Sequence, residues 1–255
     1  MSWSAKQYSA FENERTRPVR DLVAAIPTTE VRRAVDLGCG PGNSTEVLAA
    51  RFPQAEVSGM DSSADMVAAA RKRMPGVAFS QEDISTWNPA VRYDVILANA
   101  SLQWVPDHAT LYPRLLGRLA PGGSLAVQTP DNLEEPAHRL ARAVAGEGPW
   151  AARLAGVRHP DRHPADWYYA LLSPLAQRVD VWRTTYMHPL AGARAIVEWF
   201  KGTALLPYLN LLDEDGKAAF LARYEAAVAQ AYPALPDGTV LLPFPRLFVI
   251  ATQRT

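Results

Sequence analysis

Residues Val35–Thr45 read VDLGCGPGNST, three glycines and a proline set between a short apolar run and an amphipathic segment. From Ser44 onward, STEVLAARF places Val47, Leu48 and Phe52 on one helical face. Val35, Asp36 and Leu37 therefore read as the end of a buried strand, followed by a sharp turn into a helix. At Gly38, Gly40 and Gly42 the backbone is free to turn tightly and to come close to a bound group, as a nucleotide or small cofactor requires.

The spacing disfavours two common cofactor loops. A phosphate-cradling loop needs a lysine followed by Ser or Thr, whereas Gly42 is followed by Asn43, Ser44 and Thr45. A dinucleotide fingerprint runs G-x-G-x-x-G, but Gly38, Gly40 and Gly42 give G-x-G-x-G, with no third glycine at the helix position.

Outward from the loop, residues 31–130 alternate apolar runs with amphipathic stretches. VRRAVDL, AEVSGM, VAFSQ, YDVILANA and SLAVQ predict strands; 44–52, 63–73 and 108–119 predict helices, the second capped by Ser63. Pro113 predicts a kink or a later start in the third. Residues 1–30 form an N-terminal arm and a helix over 19–26 that stops near Pro27. Beyond 130 the pattern loosens: 131–175 reads as a largely helical insertion or lid, with GEGPW, RHPDRHP and DWYYALLSP. Residues 176–255 supply VDVWRTTYM (179–187), two helices, and RLFVIAT (246–252) to close the sheet. The expectation is one α/β domain over 1–255, with a Rossmann-like, mostly parallel sheet and helices on both faces.

Composition narrows the partners. The 255 residues carry 26 Lys+Arg against 26 Asp+Glu, so no global field favours nucleic acid or an anionic membrane, and neither partner is expected. Cys39 is the only cysteine, which excludes an intrachain disulfide and a cysteine-rich metal site. The N-terminal stretch has no apolar signal core, and no segment offers about 18 uncharged apolar residues in a row, so a cytoplasmic protein is expected. His159 and His163 are separated by Pro160, which opposes a helical metal pair, and no metal is expected. Monomer and dimer both remain open.

Two acidic residues extend the cofactor argument. Asp61 follows VSGM at the end of the second strand, where a carboxylate accepts both ribose hydroxyls. Asp83, after the third strand, is placed to reach an adenine amino group while Ile84 packs on the ring. Each alone is more often a surface loop residue or a helix cap; their joint placement at successive strand ends carries the reading.

On these residues the chain resembles the class I S-adenosylmethionine-dependent methyltransferases, and within them the bacterial trans-aconitate 2-methyltransferase family. VDLGCGPGNST is similar to the family's methionine-binding loop, GMDSS to its ribose-binding segment, EDI to its adenine contact, and LANASLQWVPDH to its fourth strand and following loop. The nearer resemblance extends through WSAKQYSAFENERTRP, QTPDNLEEPAH, VDVWRTTYMHP and FPRLFVIA. It implies S-adenosylmethionine as cofactor, held by Asp36, Gly38, Gly40, Asn43, Asp61, Ser62, Asp83, Ile84, Asn99 and Arg17. It further implies methyl transfer to a carboxylate of trans-aconitate, releasing the monomethyl ester and S-adenosylhomocysteine.

The chemistry fits the residue types. A carboxylate acceptor with a pKa of about 4 is ionised at neutral pH and needs no general base. A tricarboxylate does need cations, and arginine pairs bidentately with carboxylate. Arg15, Arg17, Arg183 and Arg246 are the candidates, with Tyr8, Trp104, Tyr186 and Trp150 as hydroxyl donors and apolar walls. Arg15 and Arg17 also fit a solvated face with Glu12 and Glu14; Arg183 also fits an edge-strand charge; Arg246 also fits a sheet-end cover. Cys39 reads as a small buried residue beside the cofactor. A methyltransferase for another small acidic or aromatic metabolite, or a non-catalytic S-adenosylmethionine-binding protein, fits the same cofactor loop.

Overall fold

Strands β1 (Arg33–Leu37), β2 (Glu56–Asp61), β3 (Ala78–Gln81), β4 (Tyr93–Asn99) and β5 (Leu119–Pro130) run parallel in a computed structural model that describes residues 12–158 and 163–255. With β6 (Arg178–Leu190) and β7 (Val240–Thr252) they make a sheet of order β3-β2-β1-β4-β5-β7-β6 among the described residues. The chain moves one way from β1 to β3 and the other way from β4, so the order reverses between β1 and β4, where open α/β sheets bind their ligands. The helices are α1 (Glu12–Ala24), α2 (Asn43–Arg51), α3 (Ala64–Arg73), α4 (His108–Leu116), α5 (Pro136–Glu147) and α6 (Ala151–Leu154). They continue with α7 (Ala165–Leu172), α8 (Ala193–Lys201), α9 (Leu206–Leu209) and α10 (Glu214–Ala231).

Strand register sorts side chains onto two faces. Gly59, Asp36, Leu97, Ala126 and Ile250 align across neighbouring strands and share one face. The other face carries Val35, Leu37, Ile96, Ala98, Leu125, Val127, Leu247 and Val249, which form a core with Leu111, Tyr112 and Leu115 of α4 and Tyr168 and Leu172 of α7. Helices pack on both faces: Val67 and Ala70 of α3 cluster with Phe79, the register neighbour of Gly59, on the first face, which also carries the polar strand ends.

Two prolines sit inside helices. The first helix starts at Glu12, not 19, and contains Pro18; α4 starts at His108 and contains Pro113, which therefore does not delay it. Each proline removes a backbone donor at a cost of about 3 kcal/mol in an exposed helix. Burial offsets it: Pro18, Val19, Leu22 and Val23 are buried on α1, and Leu111, Tyr112, Leu115 and Leu116 on α4. Asp107 caps α4 by accepting from the Thr110 N–H at 3.3 Å, and α4 ends at Leu116 rather than at 119. Ser63 caps α3 by accepting from the Met66 N–H at 3.4 Å.

The chain divides into two units. The first takes the chain up to Pro130, the segment ending at Thr184, and Arg246–Thr255; the second takes the segment that begins at Asp131, together with Thr185–Pro245. The 131–175 stretch expected as one insertion is therefore split, because α7 packs its Tyr168 and Leu172 into the core of the first unit. Within the second unit α5 and α10 are tied by Tyr224, whose hydroxyl donates to the Ala137 carbonyl at 3.0 Å, and by Tyr232, which accepts from the Ala137 N–H at 2.9 Å. The final strand does not end the sheet: β7 pairs antiparallel with β5, and β6 lies beyond it at the edge.

Candidate functional site

The turn after β1 is built by backbone conformation. Gly38, Gly40 and Gly42 all have positive φ, at 72°, 54° and 93°. The Gly38 and Cys39 N–H groups both donate to the Met60 carbonyl, at 2.8 and 2.9 Å, which fastens the turn to the end of β2. A side chain at Gly38 would meet Ser101, whereas one at Gly40 would meet none of the described residues within 4 Å, so Gly40 lets a bound group come close to the turn.

Asp36 stands beneath this turn, fully buried. Its Oδ2 accepts from the hydroxyls of Ser44 at 2.6 Å and Thr45 at 2.7 Å, which locks the first turn of α2 to β1. Burial pushes the carboxyl up to about 6, against the two hydroxyl bonds that lower it, with the charge of Asp61 adding to the rise. Burial likewise raises the thiol of Cys39, which is held as a thiol beside two carboxylates and is not a nucleophile.

Asp61 and Asp83 organise the next two strand ends. Asp61 accepts from the Gly40 N–H through Oδ2 and from the Ser63 N–H through Oδ1, both at 2.9 Å, so one side chain sets both the glycine turn and the start of α3. Ser62 is exposed, and its carbonyl accepts from Gln81 at 3.1 Å. Asp83 is exposed and turns back on its own loop, accepting from the Ser85 N–H at 2.7 Å; those Ser85 hydrogen bonds hold its carboxyl below the usual range. Ile84 is buried against the core, and Arg114 of α4 donates to the Ile84 and Ser85 carbonyls at 2.8 and 2.7 Å. Arg114 therefore holds the Asp83–Ser85 turn from below, a role with no local signal in the sequence.

The loop after β4 is joined to the glycine turn by Ser101, whose hydroxyl donates to the Leu37 carbonyl at 2.7 Å. Ala100, at φ 53°, turns the chain out of the strand. His108, at the first position of α4, has both ring nitrogens engaged, one with Tyr168 at 2.7 Å and the other with the Leu102 carbonyl at 2.9 Å. Because a carbonyl only accepts, Nε2 carries a proton toward it, and in the neutral ring Nδ1 accepts from the Tyr168 hydroxyl. Trp104 is 55% exposed on the short turn between Ser101 and α4 and is no core aromatic.

On the cofactor-side face Asn99 and Gln128 are register neighbours on β4 and β5, and Gln128 faces Phe248 on β7. Arg246, two residues before Phe248 and opposite Pro130, is 5% exposed, and its Nη1 reaches Gln128 Oε1 at 3.4 Å. The expected clamp of Arg183 with Arg246 is not assembled. Trp182 stacks on Phe248 at 4.8 Å, while Val179 and Val181 pack on the opposite core; Arg183 follows Trp182 and alternates onto that opposite face, exposed on the edge strand. Its placement is that of an edge-strand charge.

The remaining expected residues scatter. Arg17 is exposed on α1, Asn43 is the buried first residue of α2, and the side chain of Arg15 and the whole of Tyr8 lie outside the described residues, as does His159. In the second unit Tyr186 is buried, and Trp150 donates from its indole to the Val144 carbonyl at 2.8 Å and packs edge-on to Phe220, which makes it a core residue there. His163 stacks on Trp167 at 3.7 Å. No group of three or more His, Cys, Asp or Glu among the described residues is placed to hold a metal, and no described helix is long and apolar enough to cross a membrane.

These residues fit S-adenosylmethionine. Asp36 Oδ1 and Asn99 Oδ1 are buried acceptors with no donor among the described residues, on adjacent strands beside the turn, and they suit the methionine ammonium. Asp61 retains lone pairs for ribose hydroxyls, and Gly40 leaves room for close approach. Replacing Asp61 by alanine removes both the ribose acceptors and the tie to Gly40, so titration calorimetry is expected to give cofactor binding about 30-fold weaker with the fold retained. An unchanged affinity would remove this assignment.

Residues 34–123 match the family described as "Methyltransferase domain". The chain is 58% identical to the trans-aconitate 2-methyltransferase of Methylobacterium nodulans over 98% of both chains. It is 53% identical to that of Variovorax paradoxus over 100% of this chain and 99% of the relative. Among solved structures it is similar to the YcgJ protein of Bacillus subtilis, with a TM-score of 0.62 and 12% identity over 94% of this chain and 99% of that one, a likeness of fold.

Proposed function

The chain belongs to the trans-aconitate 2-methyltransferase family, and from that membership we propose that it transfers a methyl group from S-adenosylmethionine to a carboxylate of trans-aconitate. The products are the monomethyl ester and S-adenosylhomocysteine. The observation that carries the acceptor class is Arg246, a buried cation on the same face as Asp36 and Asn99. A guanidinium's planar fork pairs bidentately with a carboxylate, so Arg246 is suited to orient one carboxylate of the acceptor.

When bound, S-adenosylmethionine supplies an activated methyl group on a sulfonium sulfur. The protein's own contribution is positional. Asp36 and Asn99 would hold the amino-acid end of the cofactor, Asp61 its ribose, and Asp83 and Ile84 its base. Arg246 orients the ionised carboxylic acid substrate. No proton has to move, because the attacking carboxylate is already deprotonated at neutral pH, which agrees with His108 having both nitrogens committed to structure. The buried, free Cys39 supports a reducing, cytoplasmic setting as part of the same proposal.

The test is incorporation of labelled methyl from S-adenosylmethionine into trans-aconitate, with cis-aconitate, citrate and a monocarboxylate in parallel. Ester formation selective for trans-aconitate is expected; cofactor binding with no turnover on any of the four would overturn the acceptor assignment. In the same assay Arg246→Met is expected to lower kcat/KM about 100-fold, and Arg183→Met by less than about threefold, since truncating a buried charge partner costs far more than removing an exposed one. Equal losses at the two positions would contradict the separation of the two arginines onto opposite faces.

A further inference from the structure

We infer that Gln128 is a substrate-positioning residue which, together with Arg246, forms a two-strand subsite for one carboxylate of the acceptor and so sets its preference for a polycarboxylate. The inference rests on the methyl-transfer reading above and adds to it a residue and a subsite. Gln128 lies on β5, fully buried, in a strand otherwise lined there by Leu125, Ala126 and Val127. A carboxamide in such a place requires partners for both of its ends. Its Oε1 faces the Arg246 guanidinium, a donor-only group, which fixes the amide orientation and makes the other end the NH2. That Nε2 is buried and donates to no atom of the described residues. A buried, oriented donor beside a buried cation is a site for an anion with two oxygens: one oxygen accepts from Nε2 and the carboxylate charge lies against the guanidinium.

The place on the sheet fits an acceptor rather than the cofactor. Gln128 pairs in register with Asn99, the last residue of β4, and Arg246 lies opposite Pro130, one step further toward the carboxyl ends of the parallel strands. Asp36 and Asp61 lie on the other side of β4, on β1 and β2, so the subsite begins where the cofactor-binding strands stop. On its far side Phe248, which Gln128 faces across β7, is covered by Trp182, stacked at 6° between planes. The wall thereby excludes water from a charged contact and strengthens it.

The test compares the wild type with Gln128→Leu and Gln128→Glu, on trans-aconitate and on dicarboxylates that each lack one of its carboxyl groups. Methyl transfer is followed alongside calorimetric binding of trans-aconitate to the S-adenosylhomocysteine complex. Gln128→Leu is expected to raise KM for trans-aconitate about 30-fold, with cofactor affinity unchanged within about threefold. Gln128→Glu, which sets a carboxylate against the substrate, is expected to lose more, about 100-fold. For the dicarboxylate lacking the carboxyl bound at this subsite, wild type and Gln128→Leu should have the same KM, a convergence that a merely structural glutamine would not produce. A loss equal for every acceptor, or one matched by loss of cofactor affinity, would overturn the inference while leaving the reaction intact. A wild type that esterifies no polycarboxylate would overturn both. If Gln128→Leu fails to fold, the isosteric Gln128→Glu decides: unchanged KM for trans-aconitate would refute the subsite.

Discussion

Gly38→Ala is expected to reduce S-adenosylmethionine affinity at least about 1000-fold and to abolish methyl transfer. Two costs combine. The residue sits at φ 72°, where a Cβ costs about 1–2 kcal/mol by itself. An added Cβ would also lie 2.4 Å from Ser101 Cβ, closer than such atoms can approach, and 3.1 Å from its Oγ, a tight contact, so one backbone must move. Ser101 cannot move freely, because its hydroxyl holds the Leu37 carbonyl and the loop behind it is held by His108 and Tyr168. The displacement therefore passes into the turn and into Asn99, both expected to touch the cofactor. Isothermal titration with S-adenosylhomocysteine measures the loss. The double variant Gly38→Ala with Ser101→Gly removes the clash but not the strain at φ, and is expected to regain about tenfold. A single variant that binds within fivefold of the wild type would refute this account.

The glycine turn was legible in the sequence because everything it needs is local: strand, turn and helix follow within a dozen residues, and each declares itself by residue type. Asp61 was legible for a related reason, since it ends an apolar run. Ser101, Gln128 and Arg114 were not, because their roles depend on partners 64, 118 and about 30 residues away. Without the register of β4 and β5, Gln128 is a polar residue in a short apolar strand. The placement of β7 between β5 and β6 had no local mark either, and it is what brings Arg246 to the polar face and sends Arg183 to the other. The alternation of Trp182 and Arg183 was readable; which of the two faces the cofactor side depends on the neighbour that β6 takes. Pro113 misled by the opposite route, where a sound local rule yields to burial of the surrounding helix face.

Cofactor affinity is expected to depend on pH through Asp36. Burial raises its carboxyl to about 6 in the folded protein, from an ordinary value of 3.8. The native state therefore holds a proton more tightly than the unfolded chain does. The associated stabilisation is fully present below about pH 4 and is lost as pH rises through about 6, so at neutral pH the protein carries an ionised, buried carboxylate at a cost in stability. The hydroxyls of Ser44 and Thr45 offset part of that cost at Oδ2, and Asp61 adds to it by repulsion. An ammonium placed at Oδ1 relieves it, and it does so only for the ionised form. Affinity for S-adenosylhomocysteine should accordingly rise about tenfold per pH unit below about pH 6 and level off above it. Asp36→Asn preserves an acceptor for Ser44 and Thr45 but turns a donor toward the ammonium; it is expected to bind about 300-fold more weakly at pH 8 and to show no rise across this window. Asp61→Asn separates the two acids: it removes the neighbouring repulsion, so the rise should survive and shift to lower pH. A wild-type affinity flat from pH 5 to pH 8, as calorimetry would report it, would place the ammonium elsewhere and leave Asp36 only the task of holding α2 to β1.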